Sequence, residues 1–283
     1  MTEHGAPRQE HFWFESGGCR LAAALHIPAG ERKPVALVLL HGWAGYRVGA
    51  HQMFVKLARA AVNRGFVCLR FDFRGRGDSE GDAFAATLAT MIADTQAACA
   101  ELAARLGVQR FALIGDCSGS EVAIGAGPLI DGCSAWVLWS APIVGGSRES
   151  MDRAKRRNIL RQYAAKLLRR ETWAKLFRGK LQLHMIRRAI LGGGKGAGEQ
   201  GSASDKAIDW LGRFLSFRGP VLFIYGSADP TTADSVAHFE RLTREAGRAW
   251  HLHLVEGANH AFYSVKWERE VIGRTLDWLE REL

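Results

Sequence analysis

The stretch "LIGDCSGSEVA", residues 113–123, decides how this chain is read. Four apolar residues, Phe111-Ala112-Leu113-Ile114, have the character of a buried strand. They run into Gly115-Asp116-Cys117-Ser118-Gly119, and a helical segment of small residues follows. So sharp a strand-to-helix turn needs glycine flanks, because side chains there would collide where the two elements nearly touch. The turn lifts Cys117 to the helix N-terminus, where backbone N–H groups and the helix dipole favour an anion. Cys117 is therefore a candidate nucleophile. The plainer reading is a small buried residue, the usual fate of a cysteine in apolar surroundings.

Outward from this turn, strand and helix patterns alternate. "HFWFES" and "CRLAAALHIP" read as two strands joined at Gly17-Gly18. "PVALVLL" (34–40), "FVCLRFDF" (66–73), "RFALIG", "AWVLWSAP" (135–142), "PVLFIYG" (220–226) and "AWHLHLV" (249–255) are apolar runs of strand length. Helical spacing falls at about 51–64, 84–106, 118–124, 234–247 and 266–282. The expected architecture is α/β: a mostly parallel, eight-stranded sheet with helices on both faces. In such sheets ligands bind at the carboxyl ends of the strands.

Residues 146–216 interrupt the alternation. "RAKRRNILRQYAAKLLRR" carries an apolar helical stripe ringed by basic residues, and "GGGKGAGEQGSASD" (192–205) reads as a flexible linker. The expected division is a core of 1–145 and 217–283 with an inserted, basic helical cap at 146–216. Trp173 and Phe177 of the cap either line an acyl pocket or pack on the core.

The chain has 283 residues, 47% hydrophobic and 24% charged, enough for one large domain with a sizeable core. No apolar run approaches the roughly 20 residues that span a bilayer. The N-terminus lacks the basic start and apolar stretch of a signal peptide, and the five cysteines form no CxxC pair. Cytoplasmic free thiols are expected, with no metal and no cofactor. The net charge of +9 is concentrated, since 148–195 holds 15 Lys/Arg against 3 Asp/Glu and the rest is net acidic. One reading of this segment is a solvated surface. A second is attraction of an anionic acyl substrate, and a third is contact with an anionic membrane surface. No nucleic-acid-binding signature accompanies it.

Two further positions complete a chemical set. Asp229 follows "VLFIYG" in "GSADP", and His260 follows the last strand in "EGANHAF". Nucleophile, acid and histidine thus come in that order, each on the loop after a different strand. On these residues the chain resembles an α/β-hydrolase. "LLHGWAG" resembles that family's oxyanion loop, and "FDFRGRGDSEG" resembles its D-x-R-G-x-G-x-S loop. Within the superfamily the chain is most similar to the serine-aminopeptidase-type and lipase-like branch with a helical lid. More narrowly, it resembles hydrolases associated with bacterial exosortase and exopolysaccharide gene clusters. The departure is cysteine in the elbow, shared with dienelactone-hydrolase-like enzymes and some acyl-CoA thioesterases and acyltransferases.

The chemistry these residues imply is acyl hydrolysis, of an ester or thioester of a small molecule, through a covalent acyl-enzyme. A thiol's reference pKa of about 8.5 falls beside a cationic histidine and a helix N-terminus. Asp229 would orient the imidazole of His260, and the backbone N–H groups of Trp43 and Ser118 are the candidate oxyanion donors. Ser118 and Ser120 lack the glycine flanks of a serine elbow. Asp234 competes with Asp229 but stands where a helix N-cap is expected. His41 is expected to shape the oxyanion loop, and Asp72, Arg74 and Asp78 to knit the loop after their strand. Two alternatives remain: an acyltransferase using the same covalent step, and a non-catalytic binding protein on a hydrolase scaffold.

Overall fold

The apolar runs form one eight-stranded sheet in the computed structural model, which describes residues 6–144, 205, 207–245, 247 and 250–283. The strands are β1 (Arg8–Ser16), β2 (Cys19–Ile27), β3 (Val35–Leu40), β4 (Val67–Phe71), β5 (Arg110–Asp116), β6 (Cys133–Trp139), β7 (Val221–Gly226) and β8 (His251–Val255). Their order across the sheet is β1-β2-β4-β3-β5-β6-β7-β8. β2 pairs antiparallel with β1 and β4, and the remaining pairings are parallel. The expected mostly parallel α/β sheet is present.

Strand β3 shows why the apolar runs are continuous. Side chains alternate across a strand. Ala36, Val38 and Leu40 enter one core, and Val35, Leu37 and Leu39 enter the other. The first core is covered by α2 (Leu88–Leu106), α3 (Ser118–Ala126), α4 (Trp210–Ser216) and α5 (Thr232–Glu245), the second by α1 (Met53–Val62) and α6 (Val265–Glu282). With both faces buried, no position of β3 can be polar. The β1–β2 hairpin turns at Gly17-Gly18 and pairs Ser16 with Cys19.

Some boundaries differ from the expected ones, for local reasons. Helix α2 begins at Leu88, not near 84, because Thr87 and Thr90 satisfy each other's backbone N–H in a capping box. Phe84 is left in an exposed turn. Helix α5 begins at Thr232, so Asp234 is a first-turn residue and not the N-cap. A carboxylate there complements the positive end of the helix.

The core also resumes before 217. Helix α4, which the pattern places in the insertion, buries Phe214 in the first core, and Arg213 donates to the carbonyl of Gly125 at 2.6 Å. The rest of the expected cap, with its basic helices, Trp173, Phe177 and all of the linker but Asp205, lies outside the described residues. Among the described residues no helix is long and apolar enough to cross a membrane. The parallel strands end together, which brings the loops after β3, β4, β5, β7 and β8 to one edge of the sheet.

Candidate active site

Cys117 occupies the turn between β5 and α3 with φ 54° and ψ −121°. An L-residue held at positive φ costs about 1–3 kcal/mol and persists only where its surroundings enforce it. Here the enforcement is visible. The Cys117 N–H donates to the carbonyl of Trp139 on β6, and the Cys117 carbonyl accepts from Ser120 N–H, each at 2.9 Å. A Cβ on Gly119 would lie 2.0 Å from the carbonyl oxygen of Leu40, so only glycine lets α3 pass the end of β3. Cys117 itself is half-buried. Ser120 is fully buried and donates to the carbonyls of Gly115 and Trp139, a structural role.

Asp229 and His260 meet beside this turn. The His260 ring donates from Nδ1 to Asp229 Oδ2 at 2.6 Å, and the backbone N–H and hydroxyl of Thr231 both donate to Oδ1 at 3.0 Å. Burial pushes the Asp229 carboxyl up, but His260 and Thr231 outweigh it and hold it below its ordinary value. The hydrogen bond from Asp229, then the Cys117 side chain, raise His260 to about 10 against the opposing effect of burial. Asp229 and Cys117 thus both favour the protonated imidazole. The two loops are held together by the Ala228 N–H, which donates to the Ala258 carbonyl at 2.9 Å. Gly226 permits that approach, since a Cβ there would lie 2.3 Å from the same oxygen.

The loop after β3 closes over the elbow. A Cβ on Gly42 would lie 3.4 Å from Cys117 Cβ. The next N–H, that of Trp43, donates to the hydroxyl oxygen of Ser118 at 2.6 Å. The two expected oxyanion donors are thus adjacent, and the Ser118 side chain occupies one of them. The Ser118 N–H is at the first position of α3, where no intrahelical acceptor exists. His41 shapes this loop as expected. It is buried, bonds its own loop through Nδ1 to the Gly42 carbonyl at 2.8 Å, and accepts from Phe73 N–H. Burial lowers it to about 4, so it is neutral.

The loop after β4 is knitted by ion pairs. Asp72, fully buried, accepts from the backbone and guanidinium of Arg47 and from Asp78 N–H. Arg74 pairs with the buried Asp94 of α2.

Comparison with known proteins fits this geometry. The sequence pattern described as serine aminopeptidase, S33, matches residues 32–264. The chain belongs to the S33 serine aminopeptidase family of hydrolases. No curated protein sequence matches it. Solved structures share its fold at low identity. An esterase of Pyrococcus furiosus, Pf2001, is 19% identical with a TM-score of 0.67, over 98% of this chain and 91% of that one. Est1E of Butyrivibrio proteoclasticus, solved with ferulic acid, is 17% identical with a TM-score of 0.66, over 96% and 98%. A dienelactone hydrolase of Anabaena variabilis is 14% identical with a TM-score of 0.63, over 99% and 100%. The chain has the α/β-hydrolase fold, and it is an enzyme of the hydrolase class.

Three residues of this S33-family hydrolase bear on the site without a sequence signal. His51, at φ 39°, places Nε2 2.7 Å from the Ala261 carbonyl and Nδ1 3.0 Å from Glu268 Oε2. Lys56 shares that carboxylate at 2.7 Å. Ser140, also at positive φ, donates to the His260 carbonyl at 2.8 Å. Two consecutive carbonyls of the His260 loop are therefore anchored from separate elements. Asp116, beside the nucleophile position, has its carboxyl raised by burial to about 6, with His260 and His51 pulling the other way. Nothing in the residue types at 51, 116 or 140 announces these placements.

Proposed function

We propose that this S33-family hydrolase cleaves small-molecule esters or thioesters through a covalent thioester on Cys117. The observation that carries the reading is the strained backbone of Cys117, at φ 54° on the elbow, with the His260–Asp229 pair beside it. Strain of this kind raises a side chain above the strand ends, where a buried cysteine needs no such expense.

The steps follow from the geometry. The one proton shared by Cys117 and His260 moves to the imidazole as Cys117 Sγ attacks the acyl carbon, and the carbonyl electron pair moves to oxygen. The N–H groups of Trp43 and Ser118 receive the oxyanion once the Ser118 hydroxyl releases its hold on Trp43. Losing one such donor typically costs about 3 kcal/mol. His260 then gives that proton to the departing alkoxide or thiolate, and the acyl group remains on Sγ as a thioester. The neutral imidazole then takes a proton from water, the hydroxide attacks the thioester, and the Cys117 thiolate leaves. Asp229 holds one tautomer and stabilises the imidazolium throughout.

The test is turnover of a panel of aryl esters and acyl thioesters. Cys117→Ala is expected to lose about a thousandfold or more while keeping the wild-type melting curve. Cys117→Ser is expected to keep measurable oxygen-ester hydrolysis. Undiminished turnover by Cys117→Ala would refute the reading.

A further inference from the structure

The loop after β4 contains one cation unlike its neighbours. Asp72 and Asp78 meet Arg47, Arg74 meets Asp94, and Glu80 meets Arg20. Arg76 meets no carboxylate among the described residues. Its guanidinium carbon lies 5.1 Å from the ring centroid of Trp43. It is partly buried, and burial alone acts on it, lowering it from its ordinary value.

Partial burial of a cation without an opposite charge is unfavourable. The face of an indole offsets part of that cost. A guanidinium held over a ring face keeps N–H donors that a carboxylate or phosphate can take two at once. The location supplies the meaning. The backbone N–H of Trp43 is a candidate oxyanion donor, and the residue before it approaches Cys117 Cβ to 3.4 Å from an added Cβ. Arg76 therefore stands one indole away from the reacting carbonyl.

We propose that Arg76, held over the Trp43 ring, recognises an anionic group of the substrate, so that preferred substrates are esters or thioesters bearing a carboxylate or phosphate near the scissile carbonyl. This rests on Cys117 as the nucleophile.

Two matched comparisons separate the sources of the anion. Aryl hemiglutarate against aryl valerate isolates a carboxylate, and aryl 4-phosphonobutyrate against aryl valerate isolates a phosphate-like dianion at the same distance from the carbonyl. In at least one pair the charged member is expected to show kcat/KM about tenfold higher, chiefly through KM. Arg76→Gln should abolish that preference, and Arg76→Lys should keep part of it. An undiminished preference in Arg76→Gln, or no preference in either pair, would overturn the proposal.

A second readout needs no turnover. The Cys117 peptide is quantified by mass spectrometry after treatment with iodoacetate, which is anionic, and iodoacetamide, which is neutral. Arg76→Gln is expected to lower the iodoacetate-to-iodoacetamide rate ratio several-fold, with the neutral reagent reporting an intact site. An unchanged ratio overturns the Arg76 assignment alone. Failure of both reagents to label wild-type Cys117 overturns the nucleophile reading, and the Arg76 proposal with it.

Discussion

The His260 Nδ1 lies 2.6 Å from Asp229 Oδ2, although the two residues sit on loops after different strands. Asp229 is 5% exposed, and every partner of its carboxylate is a donor from the same edge of the sheet. This pair sets the electrostatics of the site. His260 is raised to about 10 from an ordinary 6.5. Its contribution to stability is therefore complete below 6.5 and lost as pH rises through about 10. Asp229 is held below its ordinary 3.8, so its contribution is present above that value and lost as pH falls beneath it.

Asp229→Asn is expected to lower kcat/KM by about a hundredfold or more. Its melting temperature should fall furthest below wild type between pH 3.8 and 6.5, with the gap closing toward pH 10. Thermal melts across that range check the claim. A gap independent of pH would mean the pair carries no coupled charge.

Ser118→Ala removes the hydroxyl that holds the Trp43 N–H at 2.6 Å. Freeing a donor from one hydrogen bond is worth about 1 kcal/mol, so kcat should hold or rise by about fivefold. Steady-state kinetics decide this. A loss beyond about a hundredfold would place the hydroxyl itself in the chemistry.

Gly119→Ala would drive a methyl group against the Leu40 carbonyl, with 2.0 Å between them. Backbone cannot yield as a flexible side chain does. The expected result is loss of soluble protein or a fall of several kcal/mol in denaturant stability. Wild-type stability with wild-type activity would show that the elbow is looser than described.

His51→Ala removes the anchor on the Ala261 carbonyl, next to His260. Small displacements of a catalytic group cost about tenfold to a hundredfold in rate. The expected signature is a lower kcat with KM little changed, partly rescued by His51→Gln, whose amide retains donors. A change in stability with kinetics untouched would make His51 purely structural.

Much of this was legible in the residues. Continuous apolar runs such as Val35–Leu40 can only be strands covered on both sides, and the structure buries all six positions. The Gly-x-Cys-x-Gly spacing marks the elbow, because the collisions at Gly115 and Gly119 are backbone collisions that no other residue escapes. Asp229 and His260 stood out because each lies on the loop after a different strand.

What was not legible depends on contacts between distant segments. Helix α2 starts at Leu88 because its capping box uses Thr90 in place of the usual acid or amide. Helix α4 carries the same basic, apolar mix as the insertion before it, so only the burial of Phe214 assigns it to the core. His51 adopts positive φ without being glycine, and its ring is held by tertiary hydrogen bonds to Glu268 and Ala261. The hydroxyl of Ser118 on Trp43 links residues 75 positions apart.

The most direct measurement is the intact mass of the purified protein after brief exposure to activated esters and acyl thioesters, with Cys117→Ala in parallel. The expected result is an acyl-sized adduct on wild type that maps to the Cys117 peptide and is missing from the variant. An adduct that persists in Cys117→Ala, or turnover of the same substrates without any adduct dependent on Cys117, would contradict a covalent thioester at the elbow.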